Sequence, residues 1–244
     1  MMRHHLLPIL LVLAATGARA QDLEVSASVY GWLPGITGSL ETGLGTIDIA
    51  PEGDGEALLG LEAGFLGSLN ATQGRWSLAG DLLFARLGAD AEAPLGLLYT
   101  GAGVTQDLMA VSAYGFFRAV DRPGAVLDLG PGLRSFDLSL AVSLDGGGLP
   151  DARETISARW TNALLAARTT IDLSDRWFLH AIADWGGTGA GDTTWQAYAG
   201  LGYRVTDDWS AELGYRHMQI TRDIRNASVD LALDGALLGV TYRF

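Results

Sequence analysis

The chain has 244 residues, with 16 arginines, no lysine and 28 acidic residues, so its formal net charge is −12. This acidic balance argues against nucleic acid as a partner. The absence of cysteine excludes disulfides, thiolate metal sites and cysteine nucleophiles. The length is enough for one large domain.

Residues 1–20 have the composition of an export signal. A positive start at Arg3 precedes an apolar run over residues 6–15 and an Ala-x-Ala end at 18–20. The alternative is an uncleaved anchor, but the apolar run has about ten residues, against roughly twenty for a membrane-spanning helix. We predict cleavage before a mature domain at 21–244. Its 14 arginines and 28 acids give a charge of −14.

The rest of the chain is predicted to be a meander of strands. Apolar and polar residues alternate with period two, and short turns alternate with longer, more polar loops. Pro131 cannot donate to a β-ladder, so we expect a bulge or a strand end there. Residues from about 137 to 158 are predicted to form a long loop. The ten predicted strands lie at about 23–33, 58–70, 76–87, 105–119, 125–136, 159–173, 176–185, 193–205, 209–220 and 232–244.

Aromatic residues near both ends of several strands indicate a membrane barrel. Trp177 and Trp185 share a strand face and are eight residues apart, which is roughly 20 Å of height in a tilted strand. A soluble β-sandwich would not normally repeat this pairing. We predict an all-β, antiparallel up-and-down transmembrane β-barrel of about ten strands, with eight or twelve as alternatives. Its predicted membrane girdle comprises Trp76, Trp177, Trp185, Trp195, Tyr203, Trp209, Tyr215, Tyr242 and Phe244.

The opposite strand faces carry nearly balanced charges. Seven acids and six arginines would point inward, together with His180. Buried carboxylates without partners are costly, so the balance predicts a filled, charge-paired lumen, and Arg216 with Glu212 is the predicted local pair. The alternative is a narrow diffusion channel for small polar solutes. The predicted lumen network comprises Glu24, Glu62, Asp81, Arg118, Asp128, Arg134, Arg168, Asp172, His180, Asp184, Arg204, Glu212, Arg216 and Arg243.

Both ends of the mature chain carry a family pattern. Residues 211–218 contain Gly-Tyr-Arg, residues 239–244 end on Tyr-x-Phe, and residues 30–38 form a Gly- and Pro-containing first strand. These segments resemble a family of small, mostly uncharacterised bacterial outer-membrane β-barrel proteins. The resemblance implies export to the outer membrane, contact with its lipids and lipopolysaccharide, and recognition of Phe244 by the barrel assembly machinery. It implies no established reaction, and the sequence leaves the oligomeric state open.

An outer-membrane enzyme that modifies lipid A is the rival interpretation. A hydrolase of that kind needs a serine, a histidine and an acid close together. The mature chain has only His180 and His217, with Ser228 across a loop from His217. We therefore expect no catalytic residues, and no cofactor or metal site is predicted.

The first long loop is strongly acidic and suggests a further role. Such a loop could attract divalent cations that bridge to lipopolysaccharide phosphates, although ordinary solvation explains the same composition. The acids concerned are Glu41, Asp48, Glu52, Asp54 and Glu56.

Overall fold

The computed structural model describes residues 23–42, 45–49, 61–91, 99–146, 151–189, 191–224 and 227–244. The predicted export signal lies outside these ranges. The strands are β1 (Leu23–Thr42), β2 (Gly45–Ile49), β3 (Leu61–Gln73), β4 (Trp76–Ala91), β5 (Tyr99–Arg122), β6 (Ala125–Gly146), β7 (Ala152–Asp172), β8 (Trp177–Gly189), β9 (Asp192–Arg204), β10 (Trp209–Ile224) and β11 (Ala227–Arg243).

Ten of these strands form a closed antiparallel barrel. Consecutive strands pair along the chain, and β11 pairs with β1 from Ser26 opposite Arg243 to Glu41 opposite Ser228. Strand β2 only pairs with the end of β1, so it forms a hairpin on the barrel and is not part of the closed wall. The predicted all-β barrel of about ten strands is therefore confirmed. Among the described residues, no helix has the length and apolar character needed to cross a membrane.

Several strands are longer than predicted. The expected long loop at 137–158 is wrong, because β6 continues to Gly146 and β7 begins at Ala152. Within this extension Phe136 and Leu138 are buried in the lumen, whereas Asp137 and Ser139 face outward. The alternation is thus inverted here, with apolar residues inside and polar residues outside. A membrane strand pattern, which requires apolar residues on the exterior, therefore does not predict a strand at these positions.

Pro131 produces a local irregularity and not a strand end. Strand β6 runs through it, but the ladder with β5 has no pairs between Tyr114–Gly132 and Phe117–Leu129. The register also shifts beside this gap, as expected of a β-bulge.

The two ends of the barrel differ. Tight connections lie at 73–76, 122–125, 172–177 and 204–209, on the same side as Leu23 and Phe244; we call this side the turn end. Gly74 and Gly124 have φ of 59° and 75° there, a conformation that favours glycine in tight turns. The opposite side, which carries the longer connections and the β1–β2 hairpin, is the loop end.

The interior also changes along the barrel axis. Charged and polar side chains predominate in the half nearer the turn end. Apolar side chains predominate in the half nearer the loop end, which also contains Arg222 and Asp192. This apolar core comprises Trp32, Leu66, Leu83, Ala85, Leu108, Ala110, Phe136, Leu138, Trp160, Met218, Ile220, Val229, Leu231, Leu233 and Leu237.

Candidate functional site

A buried ion pair crosses the middle of the lumen. Arg134 on β6 and Asp184 on β8 have fully buried side chains, and their closest nitrogen and oxygen are 2.7 Å apart. Tyr114 donates to the Asp184 carboxylate at 2.8 Å and accepts from Arg134 at 2.8 Å. Ser112 accepts from Arg134 at 2.9 Å, and Gln196 donates to Asp184 at 2.6 Å. We call these five residues the plug. Its hydrogen bonds satisfy both charges in a site closed to water.

Arg216 joins the plug to the opposite wall. It donates to Gln196 at 2.6 Å and forms an ion pair with Asp81 at 3.0 Å. The predicted local pair with Glu212 is wrong, because Glu212 hydrogen-bonds to His180 at 3.2 Å and to Tyr198. Residues four apart on a strand are about 13 Å apart along the chain, so partners across the lumen are closer.

A second charge cluster lies nearer the turn end. Arg118 and Arg168, on β5 and β7, share the buried Asp128 carboxylate at 3.2 Å and 2.8 Å. Arg168 also donates to Asn70 at 2.8 Å and lies over the Phe116 ring at 4.5 Å from its centroid. One carboxylate therefore holds two guanidinium groups in fixed orientations.

Four of the five remaining predicted network residues lie at or near the mouth of the turn end. Arg204 pairs with Asp172 at 2.5 Å, and 42% of the Asp172 side chain is exposed. Glu24 and Arg243 line the mouth, and neither forms an ion pair with another described residue. The side chain of Glu62 lies outside the described part of the chain.

One partly buried ion pair of the lumen was missed by the sequence analysis. Arg222 pairs with Asp192, which also accepts from Asn162 at 2.9 Å. Arg222 is six residues after Arg216 on the same strand and therefore faces the lumen as Arg216 does. The period-two alternation could have identified it. It was missed because the predicted strand ended at residue 220 and the preceding strand was predicted to begin at 193.

A cavity of about 340 Å³ occupies the lumen on the turn side of the plug. We call it the vestibule. Its walls include Glu24, Arg243 and the 206–209 turn at the mouth, and Tyr114, Gln196 and Arg216 at the inner end. Beyond the plug, Leu83, Leu108 and Leu233 in the apolar core are fully buried. The vestibule is thus bounded by the plug on the side of the loop end. Other lining residues include Ser26, Ser28, Tyr30, Ser68, Asn70, Asp128, Arg168, His180, Tyr198 and Glu212.

The exterior has an apolar band with aromatic residues at both edges. Near the turn end, paired rings lie 4.8–4.9 Å apart between their centroids. These pairs are Trp76 with Phe117, Trp177 with Tyr203, Trp209 with Tyr242, and Tyr242 with Phe244.

The edge nearer the loop end has fewer aromatic residues. Trp185 and Trp195 are cross-strand neighbours with exposed rings, and Trp195 contacts His217 with 4.6 Å between ring centroids. Tyr215 is also exposed and donates to Asp234 at 2.6 Å.

The described residues show no arrangement of a hydrolase around the two histidines. The hydrogen bond of His180 is to Glu212, and His217 contacts the Trp195 ring. Neither ring is hydrogen-bonded to a serine hydroxyl in the part of the chain that the structure describes. Within the same ranges, no group of three or more His, Asp or Glu side chains could hold a metal ion.

Comparisons with known proteins agree with this fold. The family model described as "Outer membrane protein beta-barrel domain" matches residues 9–244. A comparison with curated proteins found no match. Among solved structures, the outer-membrane protease OmpT from Escherichia coli gives a TM-score of 0.60 at 10% identity, covering 92% of this chain and 98% of that chain.

Two other solved barrels are similar at lower TM-scores. The translocator domain of the autotransporter NalP from Neisseria meningitidis gives 0.43 at 16% identity, with 93% and 90% coverage. The attachment invasion locus protein Ail of Yersinia pestis gives 0.38 at 14% identity, with 92% and 100% coverage. At such identities the likeness to OmpT concerns the fold alone. The match of the family model over nearly the whole chain shows that this protein belongs to the outer membrane protein β-barrel domain family and is a bacterial outer-membrane protein.

Proposed function

We propose that this protein is a sealed outer-membrane barrel with a structural or surface-interaction role. The observation that carries the proposal is the succession of plug and apolar core along the lumen. The plug places a fully buried Arg134–Asp184 pair across the barrel, and Leu83, Leu108 and Leu233 are fully buried beyond it. A barrel whose lumen is filled in this way is better suited to a structural role in the membrane than to transport through it.

A narrow diffusion channel is the alternative that the vestibule favours. The vestibule has both charge signs on its walls and room for small polar solutes. A solute that continued past it would have to displace the Arg134–Asp184 pair and then enter an apolar layer. Separating a buried ion pair costs about 3–5 kcal/mol, and the fully buried Leu83, Leu108 and Leu233 offer a polar solute no replacement hydrogen bonds. We therefore infer that the vestibule is a dead end.

We infer no catalytic role, and the lipid A-modifying enzyme remains the second alternative. Acyl transfer or hydrolysis needs a nucleophile within hydrogen-bond reach of a base. Glu212 occupies one ring nitrogen of His180, and His217 faces outward against Trp195. Neither arrangement supplies a nucleophile from the described residues.

The proposed partners are those of a barrel in this membrane. The exterior apolar band supports contact with lipid acyl chains, with the aromatic residues at its edges as the membrane girdle. We propose that the turn end faces the periplasm, that export uses residues 1–20, and that the barrel assembly machinery recognises the C-terminal strand during biogenesis.

Conductance in a planar lipid bilayer tests the sealed barrel. The mature chain, refolded in detergent and shown to be folded by its heat-dependent gel shift, is expected to give no steady ion current. A variant with Arg134→Gly, Asp184→Gly and Leu108→Gly removes both charges of the buried pair and bulk from the apolar core, and it provides the open control once its gel shift shows that it is folded. If the unmodified protein gave steady, salt-dependent openings, it would be a channel and the proposal would be wrong.

A further inference from the structure

Two arginines of the vestibule wall share one carboxylate. Arg118 on β5 and Arg168 on β7 both pair with Asp128, one with each carboxylate oxygen. The side chains of Arg118 and Arg168 are 24% and 15% exposed, whereas that of Asp128 is 4% exposed. Two positive charges therefore face the cavity beside one negative charge, so this part of the wall has a net positive charge.

Arg118 also has free donors. Only its Nε donates to Asp128, and its two terminal nitrogens have no hydrogen-bond partner among the described residues. Arg168 is held more completely, because it also donates to Asn70 and lies over the Phe116 ring. The terminal nitrogens of Arg118 are thus a planar pair of donors at the cavity, and such a pair matches the two oxygens of a carboxylate.

Glu212 carries the opposite charge on another part of the wall. It lies on β10, four strands from β6 in the ten-stranded wall, and none of the described arginines pairs with it. Both of its contacts are to one carboxylate oxygen, Oε1, which accepts from the Tyr198 hydroxyl and lies 3.2 Å from Nδ1 of His180. The other oxygen, Oε2, has no hydrogen-bond partner in the part of the chain that the structure describes. A free carboxylate oxygen is therefore available at the vestibule.

The other charged groups of the vestibule are paired or lie at its mouth. Asp81 pairs with Arg216, and Arg204 pairs with Asp172. The groups at the mouth have both signs; they are Glu24, Asp207, Asp208 and Arg243. Deeper in the vestibule, the two arginines around Asp128 and the Glu212 carboxylate thus form two poles of opposite charge.

The remaining wall and the size of the cavity suit a small molecule. The volume of about 340 Å³ is near the lower end of the range of about 300–1,000 Å³ for small-molecule sites, which combine an apolar lining with a few polar groups. The plug closes the inner end of the cavity, so a ligand would enter from the turn end. The apolar and aromatic lining includes Tyr30, Leu69, Phe116, Phe178 and Ile182.

We propose that the vestibule binds a dipeptide by its two charged termini. The C-terminal carboxylate accepts hydrogen bonds from the terminal nitrogens of Arg118, and the N-terminal ammonium donates to Oε2 of Glu212. An extended dipeptide is about 7 Å long, which suits charged groups on nearly opposite walls. A free α-amino acid fits less well, because both of its charges are attached to one carbon. The inference goes beyond the structural role proposed above and does not require a sealed lumen.

Isothermal titration calorimetry of the folded barrel in detergent tests the site. The probes are alanyl-alanine, the same dipeptide with an acetylated N-terminus, and the same dipeptide with an amidated C-terminus. The measurement is made at pH 8, where an imidazole is ordinarily uncharged and leaves the carboxylate as the negative pole. The free dipeptide is expected to bind, and each blocked form is expected to bind at least tenfold more weakly, a difference of about 1.4 kcal/mol.

Two variants identify the residues that bind the termini. Arg118→Gln and Glu212→Gln are each expected to weaken binding of the free dipeptide about tenfold. The matched controls Arg122→Gln and Asp121→Asn change exposed residues beside the 122–125 turn and should bind normally. Arg118→Gln should also lose the preference for the free over the amidated dipeptide, and Glu212→Gln the preference over the acetylated one. A purely structural role of either residue would not change these preferences.

Three outcomes would overturn the proposal. The first is no binding of alanyl-alanine at millimolar concentration, and the second is equal binding of the blocked dipeptides. The third is a pair of vestibule variants that keep both the affinity and the preferences of the controls. The heat-dependent gel shift verifies folding, and the blocked dipeptides decide the question on the unmodified protein if a variant does not fold. A conducting barrel with normal dipeptide binding would contradict only the sealed lumen.

Discussion

At the scale of single residues, the lumen shows how burial changes the contribution of an ion pair. Arg134 and Asp184 are fully buried, and their partners include Tyr114 and Gln196. Arg204 and Asp172 form a similarly short pair at the turn end, where water reaches both side chains. Desolvation makes an unpaired charge costly at the first site, whereas solvent replaces the lost partner at the second.

We predict that Asp184→Ala destabilises the barrel much more than Asp172→Ala. The first change leaves Arg134 charged and unpaired inside the lumen, at a cost of about 3–5 kcal/mol. The second removes a half-exposed partner and should cost about 0–1 kcal/mol. Urea unfolding in lipid vesicles, followed by tryptophan fluorescence, measures both. Equal losses from the two variants would mean that the plug is not a stabilising network.

At the scale of strands, the sequence predicted the membrane-crossing parts better than the extensions. The outward positions of Trp177, Leu179 and Trp185 follow from period-two alternation alone, because lipid requires apolar side chains on that face. Beyond the apolar band this requirement disappears. Leu138 then points inward and Asp137 outward, as in a soluble barrel, so the membrane pattern predicts a loop at these residues.

Ion-pair partners could not be predicted in the same way. Parity placed Arg216 and Asp81 on the inner face, but their contact joins β10 to β4 across the lumen. Such a contact depends on the stagger and tilt of the strands, which alternation does not reveal. The same limit explains why alternation predicts a pair between Glu212 and Arg216, whereas Glu212 contacts His180 in the structure.

Strand packing beside Pro131 gives a second prediction. A Cβ on Gly130 would lie 1.9 Å from the carbonyl oxygen of Gly115, whereas a Cβ on Gly115 meets no atom within 4 Å. Gly130→Ala must therefore shift the β5 or β6 backbone, and we expect a loss of about 1–3 kcal/mol. Gly115→Ala is the matched control and should unfold at nearly the urea concentration of the unmodified protein. A Gly130→Ala variant as stable as this control would contradict the close backbone approach.

At the scale of the whole molecule, three layers follow one another along the lumen. The vestibule opens at the turn end, the plug closes its inner side, and the apolar core occupies most of the half beyond, together with the Arg222–Asp192 pair. On the exterior, the apolar band surrounds the part with the polar lumen, and polar residues surround the apolar core at the loop end. The same ten strands thus form two parts. One has an apolar exterior around a polar lumen, and the other has a polar exterior around an apolar core, as in a soluble barrel.

Cysteine accessibility tests the sealed lumen most directly, because the native chain has no cysteine and each variant carries a single thiol. Ser28→Cys lies in the vestibule and Ala85→Cys in the apolar core. With a small charged methanethiosulfonate reagent and the folded barrel in detergent, we predict that Ser28→Cys reacts quickly and that Ala85→Cys reacts only after unfolding. Rapid labelling of Ala85→Cys in the folded barrel would show a water-filled path beyond the plug and would contradict the account.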